Sequence, residues 1–494
     1  MVVNFRSCGA LPRSIPRGWT STLGSRKSQA EALATAPETT IDFAASKART
    51  IIKLATPTVF AMLLQSIVNE VDDVFFARLP DPIEASNAQA ALFPSLVVVW
   101  AFGGALGAIS VGTQALTARR VAEGNPKAAG AVLANAVWFT LIGGLVILPI
   151  SYFALPWIFT KQIHVEGVRN IALEYSRWRV FGFVSMAMTQ AIKGFFDGIG
   201  KTRYHLVASL VMNVFNVLFC WMFLFGHGVK AMGAPGAGLA ALASTWICLV
   251  IMLWYAYQHR VEFEPIKWSN VSRSLLWDML KLSIPAALAT IIMMAGFSTF
   301  SKIVNTLDEG MVEAVNAAAT TNIIEILKLT FTACIGFGTA TATLVGQSMG
   351  RNQPAQAEAY GWTSVRLGLV IFGVVGLCEG VIFRGQLLHF IAPKSPAVQL
   401  AMSTPMLLMG IVTPLISVAL ILSEALFGAG STKFVAVAQF VLITTVLVPG
   451  AYFFGVKMNM GLVGVWIPGC IYAALAAATM SLKFRAGGWK SIKL

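Results

Sequence analysis

One stretch, residues 51 to 78, places three carboxylates inside an apolar run that is long enough to cross a membrane. The polar positions form two strips at the i, i+4, i+7 spacing of a helix face: Gln65, Asn69 and Asp72, and beside them Ser66, Glu70 and Asp73. Carboxylates are costly in lipid, so we expect them to face a bundle interior or a watery cavity, where they indicate a substrate or ion pathway. We call these two strips together the polar stripe. The rest of the chain must enclose it.

The composition supports a membrane location. Of the 494 residues, 56% are hydrophobic and only 12% are charged, whereas soluble domains carry about 25% charged residues. The net charge of +14 comes from Lys and Arg scattered among loops and tails, without a basic face interleaved with aromatics, so no nucleic-acid partner is expected. The six Cys residues show no CxxC pairing and are interpreted as packing residues. We expect no metal site and no cofactor, a lipid bilayer as surroundings, and a monomer.

Residues 1 to 50 differ from the remainder. No acidic residue precedes Glu31, while Arg6, Arg13, Arg17 and Arg26 are mixed with Ser, Thr, Gly and Pro. This composition is typical of an organellar transit peptide, and there is no apolar core for a secretory signal. A disordered cytosolic tail fits the same residues, and both interpretations stay open. The membrane could therefore be plasma, vacuolar or organellar, including plastid.

Runs of about 20 apolar residues predict twelve membrane-spanning helices. They lie near 51–77, 87–118, 128–153, 170–194, 204–226, 236–258, 276–305, 314–345, 359–384, 399–427, 433–455 and 461–483. We therefore predict an all-α polytopic protein with a tail (1–50), an N-lobe of six helices (51–258), a linker (259–275), a C-lobe of six helices (276–484) and a C-terminal tail (485–494).

The two halves are internal repeats. IKLATP at 52–57 is matched by LKLSIP at 280–285, Gly112-Thr113 by Gly338-Thr339, and FDGIGKTR at 196–203 by LFGAGSTK at 426–433. The offsets are 228, 226 and 230 residues, in the same order along the chain. An even number of helices per repeat makes both halves enter the membrane from one side, so a cleft between two lobes related by an axis along the membrane normal is expected. Short loops on the side of the termini carry more than twice the basic residues of the other side, which predicts termini in the cytosol, stroma or matrix.

Several motifs, in order, resemble those of the multidrug and toxic compound extrusion (MATE) family. They are IIKLATP followed by Asp72, the Gly-Thr pair with residues 119–128, EYSRWRVFG at 174–182, KGFFDGIGKTR at 193–203, and FGTATATLVGQSMG at 337–350. The resemblance covers residues 50 to 483. It implies two six-helix lobes in a V that open alternately to the two sides of the membrane, and export driven by a cation gradient.

The resemblance also implies roles for single residues. Asp72 falls at the proposed proton site of the first helix, Asn216 at a cavity-lining Asn of the fifth, and Tyr175 at the Tyr that opens the fourth. Other positions depart from the family: Cys220, Met293 and Ile416 stand where many members carry a polar or acidic residue. The C-lobe has thus lost the carboxylates usually assigned to its ion site. Glu325, Glu379 and Glu424 could substitute, but none is at the family's position.

We predict an antiporter, and no enzyme, that exports small organic compounds in exchange for a cation, most simply H⁺, with Na⁺ as the alternative. The predicted ion-coupling residues are Asp72 and Glu70, and the predicted cavity-lining residues are Gln65, Asn69, Tyr175 and Asn216. An interfacial role for Asp72 is the alternative to coupling, since 19 residues from Lys53 span roughly 28 Å. Export of organic anions such as citrate or phenolics is an alternative function. A membrane-embedded enzyme is disfavoured because the five His lie far apart in the sequence, and no major-facilitator GxxxD-like loop follows the second helix.

Overall fold

The computed structural model describes residues 46–163, 165–264, 270–309, 315–392 and 395–493, and within them all side chains except those of residues 67–70, 82 and 93. The predicted transit peptide or tail lies almost entirely outside the described residues. The described residues form helices and connecting turns, with no strand among them. The all-α prediction is therefore confirmed.

Eleven described helices are long and apolar enough to cross a membrane. With the fourth crossing, we number them in chain order: α1 Lys47–Phe76, α2 Ile83–Ala122, α3 Pro126–Gln162, α4 (described below), α5 Arg203–Phe225, α6 Ala234–Gln258, α7 Arg273–Thr306, α8 Val315–Gly350, α9 Pro354–Ile382, α10 Pro396–Gly428, α11 Thr432–Lys457 and α12 Gly461–Ala486. We call α1–α6 the N-lobe and α7–α12 the C-lobe.

The fourth crossing, α4, consists of two helices, Glu166–Val180 and Phe183–Ile199, joined at Phe181 and Gly182. The first helix is polar and amphipathic because its sequence includes Arg169, Glu174, Arg177 and Arg179, so it lacks the continuous apolar run of the other crossings. The second is almost wholly buried. With this crossing, the structure agrees with the predicted twelve-helix architecture.

The helix ends follow local sequence signals. The Asn125 side chain caps α3 by accepting a hydrogen bond from the Ala128 amide at 3.0 Å, and Pro126 takes the first helical position, where a missing N–H costs nothing. Gly200 ends α4 and Gly226 ends α5, both at φ 85°. A side chain is strained at this positive φ, so glycine is the residue expected after a helix of this kind.

The internal repeat is visible in the packing of each lobe. A Cβ atom on Gly198 of α4 would clash with the Gln114 carbonyl of α2, and a Cβ on Gly428 of α10 would clash with the Ala342 carbonyl of α8. The residues of the second pair follow those of the first by 230 and 228 positions, the offsets found in the sequence. Small residues let membrane helices approach closely, so the two lobes use the same crossing of their second and fourth helices.

The lobes touch through α1 with α8 and α2 with α7, at the ends of the helices nearest the chain termini. Gly336 of α8 lies against Val59 of α1, and the Gly112 amide donates to Ser283 Oγ at 3.3 Å. We call this contact region the inter-lobe seam. It also contains Gln114, Arg119, Asp197 and Gly198 of the N-lobe and Thr339, Thr343, Gln347, Ala429 and Ile492 from the C-terminal half.

Candidate functional site

Asp72 is fully buried, with 0% of its surface exposed, near the end of α1 away from the termini. Its neighbour Phe76, one helical turn on, packs edge to face on Tyr175 with ring centroids 5.9 Å apart. The carboxylate therefore points into the N-lobe bundle, as the polar stripe predicts, and not toward headgroups.

Three side chains from α4 and α5 surround the Asp72 carboxylate. The Tyr175 hydroxyl donates a hydrogen bond to Oδ2 at 2.7 Å, and Arg179 Nη1 lies 3.5 Å from the same oxygen. The Cys220 thiol donates to Oδ1 at 3.5 Å. Arg179 Nη1 also donates to the Tyr175 oxygen at 3.1 Å, so Tyr175 and Arg179 hold the carboxylate as a connected pair.

Tyr175 and Arg179 are spaced i, i+4 on the first helix of α4, so their side chains share one face. The guanidinium of Arg179 also lies over the Tyr175 ring, 5.5 Å from its centroid. Sequence reasoning found Tyr175 and missed Arg179. The i, i+4 spacing within EYSRWRVFG was the signal that could have identified it.

This arrangement makes the charge of Asp72 depend on opposing effects. Burial favours the neutral acid, while Arg179 and the two hydrogen-bond donors favour the carboxylate. A proton that binds Asp72 removes the charge that holds Arg179. The site can therefore convert proton binding into a change in the contacts between α1 and α4.

Asn216 is also fully buried, on α5 one helical turn before Cys220. Its Nδ2 atom lies 3.5 Å from Ser244 Oγ of α6, and its Oδ1 atom is buried without a hydrogen-bond partner. An unpaired buried acceptor is costly. Asn216 thus extends the Asp72 site toward α6 and leaves one acceptor available to a donor.

Fewer contacts are described for the other predicted site residues of α1. Gln65 is half-buried, beside Leu64, whose carbonyl accepts a hydrogen bond from Asn213 at 2.9 Å. The side chains of Asn69 and Glu70 lie outside the described residues. Asp73, also half-buried, accepts a hydrogen bond from Gln89 Nε2 at 3.1 Å and so is tied to α2, separately from Asp72.

The C-lobe holds an apolar cavity of about 70 Å³, and no carboxylate is among the described residues that line it. Met293 and Ile416, the two positions at which the resemblance leads one to expect acidic residues, both line it. Aromatic and sulfur-containing side chains supply much of the remaining wall: Phe297, Phe300, Phe331, Met409, Trp466 and Met480. Among the described residues, no three His, Cys, Asp or Glu side chains are grouped so that they could hold a metal ion.

The three C-lobe carboxylates considered as substitutes, Glu325, Glu379 and Glu424, occupy three different environments. Glu325 forms an exposed ion pair with Lys328 at 2.5 Å. Glu379 accepts a hydrogen bond from the Thr330 hydroxyl at 2.9 Å, within the π-helical turn Cys378–Ile382. Glu424 of α10 packs against Gly338 of α8, within the C-lobe. The structure therefore does not bring them together into one ion site.

Comparisons with known proteins agree with this architecture. The sequence model of the MatE family matches residues 57–222 and 285–453, one segment in each lobe. A probable multidrug resistance protein NorM from Thermotoga maritima is 24% identical over 460 residues, which cover 89% of this chain and 92% of the relative. The multidrug resistance protein MdtK of Yersinia pseudotuberculosis is 24% identical over 455 residues, covering 89% and 95%.

Solved structures show the same fold. A transporter of the MOP superfamily from Pyrococcus furiosus superimposes with a TM-score of 0.81 at 20% identity, over 90% of this chain and 96% of that one. A multidrug resistance MATE transporter in an outward-facing conformation gives a TM-score of 0.81 at 21% identity, with the same coverage. At this level of identity the likeness concerns the fold alone.

Proposed function

The chain belongs to the MatE family of membrane transporters, and from that premise we propose that it is an antiporter that exports small organic compounds in exchange for protons. Family membership excludes the membrane-embedded enzyme considered from the sequence. The relatives named as multidrug resistance proteins support xenobiotics as one class of substrate.

The observation that carries the proposal is the Asp72–Tyr175–Arg179 cluster. A buried carboxylate paired with an arginine can change charge only if its surroundings change with it, which is the property that ion coupling requires. When Asp72 is charged, Arg179 and Tyr175 tie α4 to α1. When Asp72 takes up a proton, that tie weakens and the N-lobe can rearrange.

The proposed cycle follows from this change. Protonation of Asp72 favours the arrangement of the N-lobe from which substrate leaves on the side away from the termini, and loss of the proton to the other side restores the starting arrangement. The proton must bind the two arrangements with different affinity for this coupling to occur. Gln65 and Asn216 are the described polar side chains that we place along the cavity wall.

The proposal is tested by efflux from proteoliposomes under an imposed proton or sodium gradient. The intact protein is expected to export an organic substrate when a proton gradient is imposed and to give no comparable efflux with a sodium gradient alone. Asp72→Asn keeps the shape of the side chain but cannot take up or release the proton, so proton-driven efflux should fall by at least about tenfold.

Asp73→Asn is the matched control. This neighbouring carboxylate is bonded to Gln89 and not to Arg179, so its removal should leave efflux within about twofold of the intact protein. Unchanged proton-driven efflux in the Asp72 variant would contradict the assignment. Efflux driven by sodium alone would show that the coupling ion is not the proton and that the coupling site lies elsewhere in the protein.

A second candidate, export of neutral or anionic organic compounds, is favoured by the apolar C-lobe cavity. Met293 and Ile416 line it, so the C-lobe offers no carboxylate there to attract an organic cation. Competition by unlabelled organic acids and organic cations in the same efflux assay distinguishes the two substrate classes.

A further inference from the structure

A buried arginine crosses the inter-lobe seam at the end of α2 nearest the termini. Arg119 is 5% exposed. Its Nη1 atom donates a hydrogen bond to the Ile492 carbonyl at 2.7 Å, and its Nη2 atom donates one to the Ala429 carbonyl at 2.9 Å. Ala429 follows the last residue of α10, and Ile492 belongs to the C-terminal tail. One side chain of the N-lobe thus holds two separate segments of the C-terminal half, and the proton-coupling scheme uses neither contact.

The chemistry of the two acceptors suits an arginine. The last carbonyls of a helix have no donor within the helix, and the helix dipole favours a positive charge beside them. Arg119 supplies both the donor and the charge to the end of α10, and it does so from the opposite lobe. Because a guanidinium carries its N–H groups in a rigid planar fork, it can hold the Ile492 carbonyl at the same time.

The internal repeat contains a counterpart of this contact, directed the other way. At the offset of 228 residues that relates Pro126 of α3 to Pro354 of α9, the counterpart of Arg119 is Gln347. Gln347 of α8 donates from Nε2 to the Gly198 carbonyl at 2.8 Å, in the last turn of α4. Each lobe therefore caps the end of a helix in the other lobe, and the Arg119 contact adds a charge and a bond to the tail.

The C-terminal tail is itself anchored to the C-lobe. Trp489 is fully buried and stacks on Phe484 of α12, with ring centroids 4.7 Å apart. Lys490 Nζ lies 2.6 Å from a carboxylate oxygen of Glu358 on α9. The tail thus joins α9 and α12 of the C-lobe to Arg119 of the N-lobe.

We propose that Arg119 and the C-terminal tail form a latch that holds the two lobes together on the side of the termini. The inference rests on the proposed transport function, because a latch has a role only if the pathway opens alternately to the two sides. In the structure the latch is closed. Opening toward the termini requires Arg119 to leave the carbonyls of Ala429 and Ile492, since these lie on the other side of the seam.

The position of Arg119 makes such an opening feasible. A buried cation without a partner is costly, but Arg119 lies in the last turn of α2, where water reaches it once the seam opens. Its hydrogen bonds to the two carbonyls are then exchanged for hydrogen bonds to water, so the net cost is modest. The latch therefore favours the closed arrangement without locking it, and release of the tail weakens it.

The test is a distance measurement between spin labels on the two lobes of the full chain in lipid nanodiscs. Arg203→Cys and Lys433→Cys place the labels at exposed positions, at the starts of α5 and α11. The native cysteines are replaced by Ser, except the three that are buried: Cys220, Cys248 and Cys334. In this background Arg119→Met, which removes both hydrogen bonds, should raise the ratio of long to short distances by at least about fivefold.

A charge reversal tests the tail without changing Arg119. Lys490→Glu places two carboxylates opposite each other at a partly exposed ion pair, so the tail should leave α9 and the ratio should rise by about threefold. Adding Glu358→Lys restores an ion pair and should return the ratio to within about 1.5-fold of the background. Lys281→Glu makes the same reversal beside Asp278, at an exposed pair of α7. It is the matched control and should not change the distances.

A distance distribution for Arg119→Met equal to that of the background would overturn the latch. Unchanged distances in Lys490→Glu, or a charge swap that restores nothing, would overturn it too, because the tail would then take no part. The Lys490 and Glu358 changes open no buried cavity, so these variants are expected to fold whatever the effect of Arg119→Met. Because the distances are read without transport, this result is independent of the Asp72→Asn efflux test, and either proposal can fail alone.

Discussion

The Tyr175 hydroxyl donates a 2.7 Å hydrogen bond to the Asp72 carboxylate, with both side chains no more than 1% exposed. The two residues are 103 positions apart in the sequence and lie on different helices. A hydrogen bond to a charged group is stronger than one between neutral groups. This contact therefore links the first and fourth crossings of the N-lobe directly through the proposed proton site.

Replacing Tyr175 by Phe removes that donor and keeps the ring that packs on Phe76. We expect proton-driven efflux to fall by about tenfold and the free energy of unfolding to fall by about 1–3 kcal/mol, because an acceptor is left short of a partner. Efflux from proteoliposomes and thermal unfolding in detergent measure the two effects. Tyr152→Phe, at a half-buried tyrosine of α3 outside the site, should change neither by a comparable amount. Wild-type efflux in the Tyr175 variant would contradict a role for this contact.

Asp72 and Arg179 should be energetically coupled. Arg179→Gln leaves a buried carboxylate without its cation, a change that costs about 3–5 kcal/mol for buried pairs. Asp72→Asn in the same protein removes the unpaired charge, so the double variant should be more stable than Arg179→Gln alone. The double-mutant cycle is measured by thermal unfolding, and additive effects of the two changes would exclude the coupling.

The sequence predicts the membrane fold well because each crossing is marked by local hydropathy and the duplication by matched motifs. IKLATP and LKLSIP identify the starts of α1 and α7 without any knowledge of contacts. The polar stripe on α1 likewise identifies Asp72 as buried inside the bundle, because a carboxylate at that depth is tolerated only there.

The partners of the charged residues were not predictable in the same way. Arg179 reaches Asp72 only after α4 packs on α1. The two residues are more than 100 positions apart, and the i, i+4 spacing of Tyr175 and Arg179 indicates only that these two side chains share a helix face, not that the face packs on Asp72. Met293 and Ile416 indicate from the sequence that this part of the C-lobe is apolar. The side chains that line the cavity, however, come from several helices.

The C-terminal tail is a structural part of the protein. Trp489 is fully buried, stacks on Phe484 with ring centroids 4.7 Å apart, and donates a 2.8 Å hydrogen bond to the Phe484 carbonyl. We expect Trp489→Ala to lower the free energy of unfolding by about 3–5 kcal/mol, the range for removing a large buried aromatic side chain. Thermal unfolding in detergent measures this loss. Trp157→Ala, at a residue 68% exposed, is the control, and an equal effect of the two changes would show that the tail is not docked as described.

The end of α6 should respond to pH through His259. Its ring nitrogens lie 3.4 and 3.5 Å from Lys201 Nζ, and Nε2 is 3.2 Å from the Tyr204 hydroxyl. Burial and, after it, the Lys201 charge hold the pKa of His259 below its usual range, although Glu262 opposes them. Burial likewise lowers the pKa of Lys201. Neutral His259 is therefore the form that fits the folded protein.

The sign of the effect follows from this lowered pKa. Between the folded pKa of His259 and the ordinary value of about 6.5, the unfolded chain binds the proton more readily than the folded protein does. His259 thus favours the folded state fully above that range, and this contribution is lost as the pH falls. We expect His259→Gln to flatten the decline in Tm between about pH 7 and pH 5. His389→Gln, at an exposed histidine, should keep the wild-type slope, and a slope unchanged in His259→Gln would contradict the assignment.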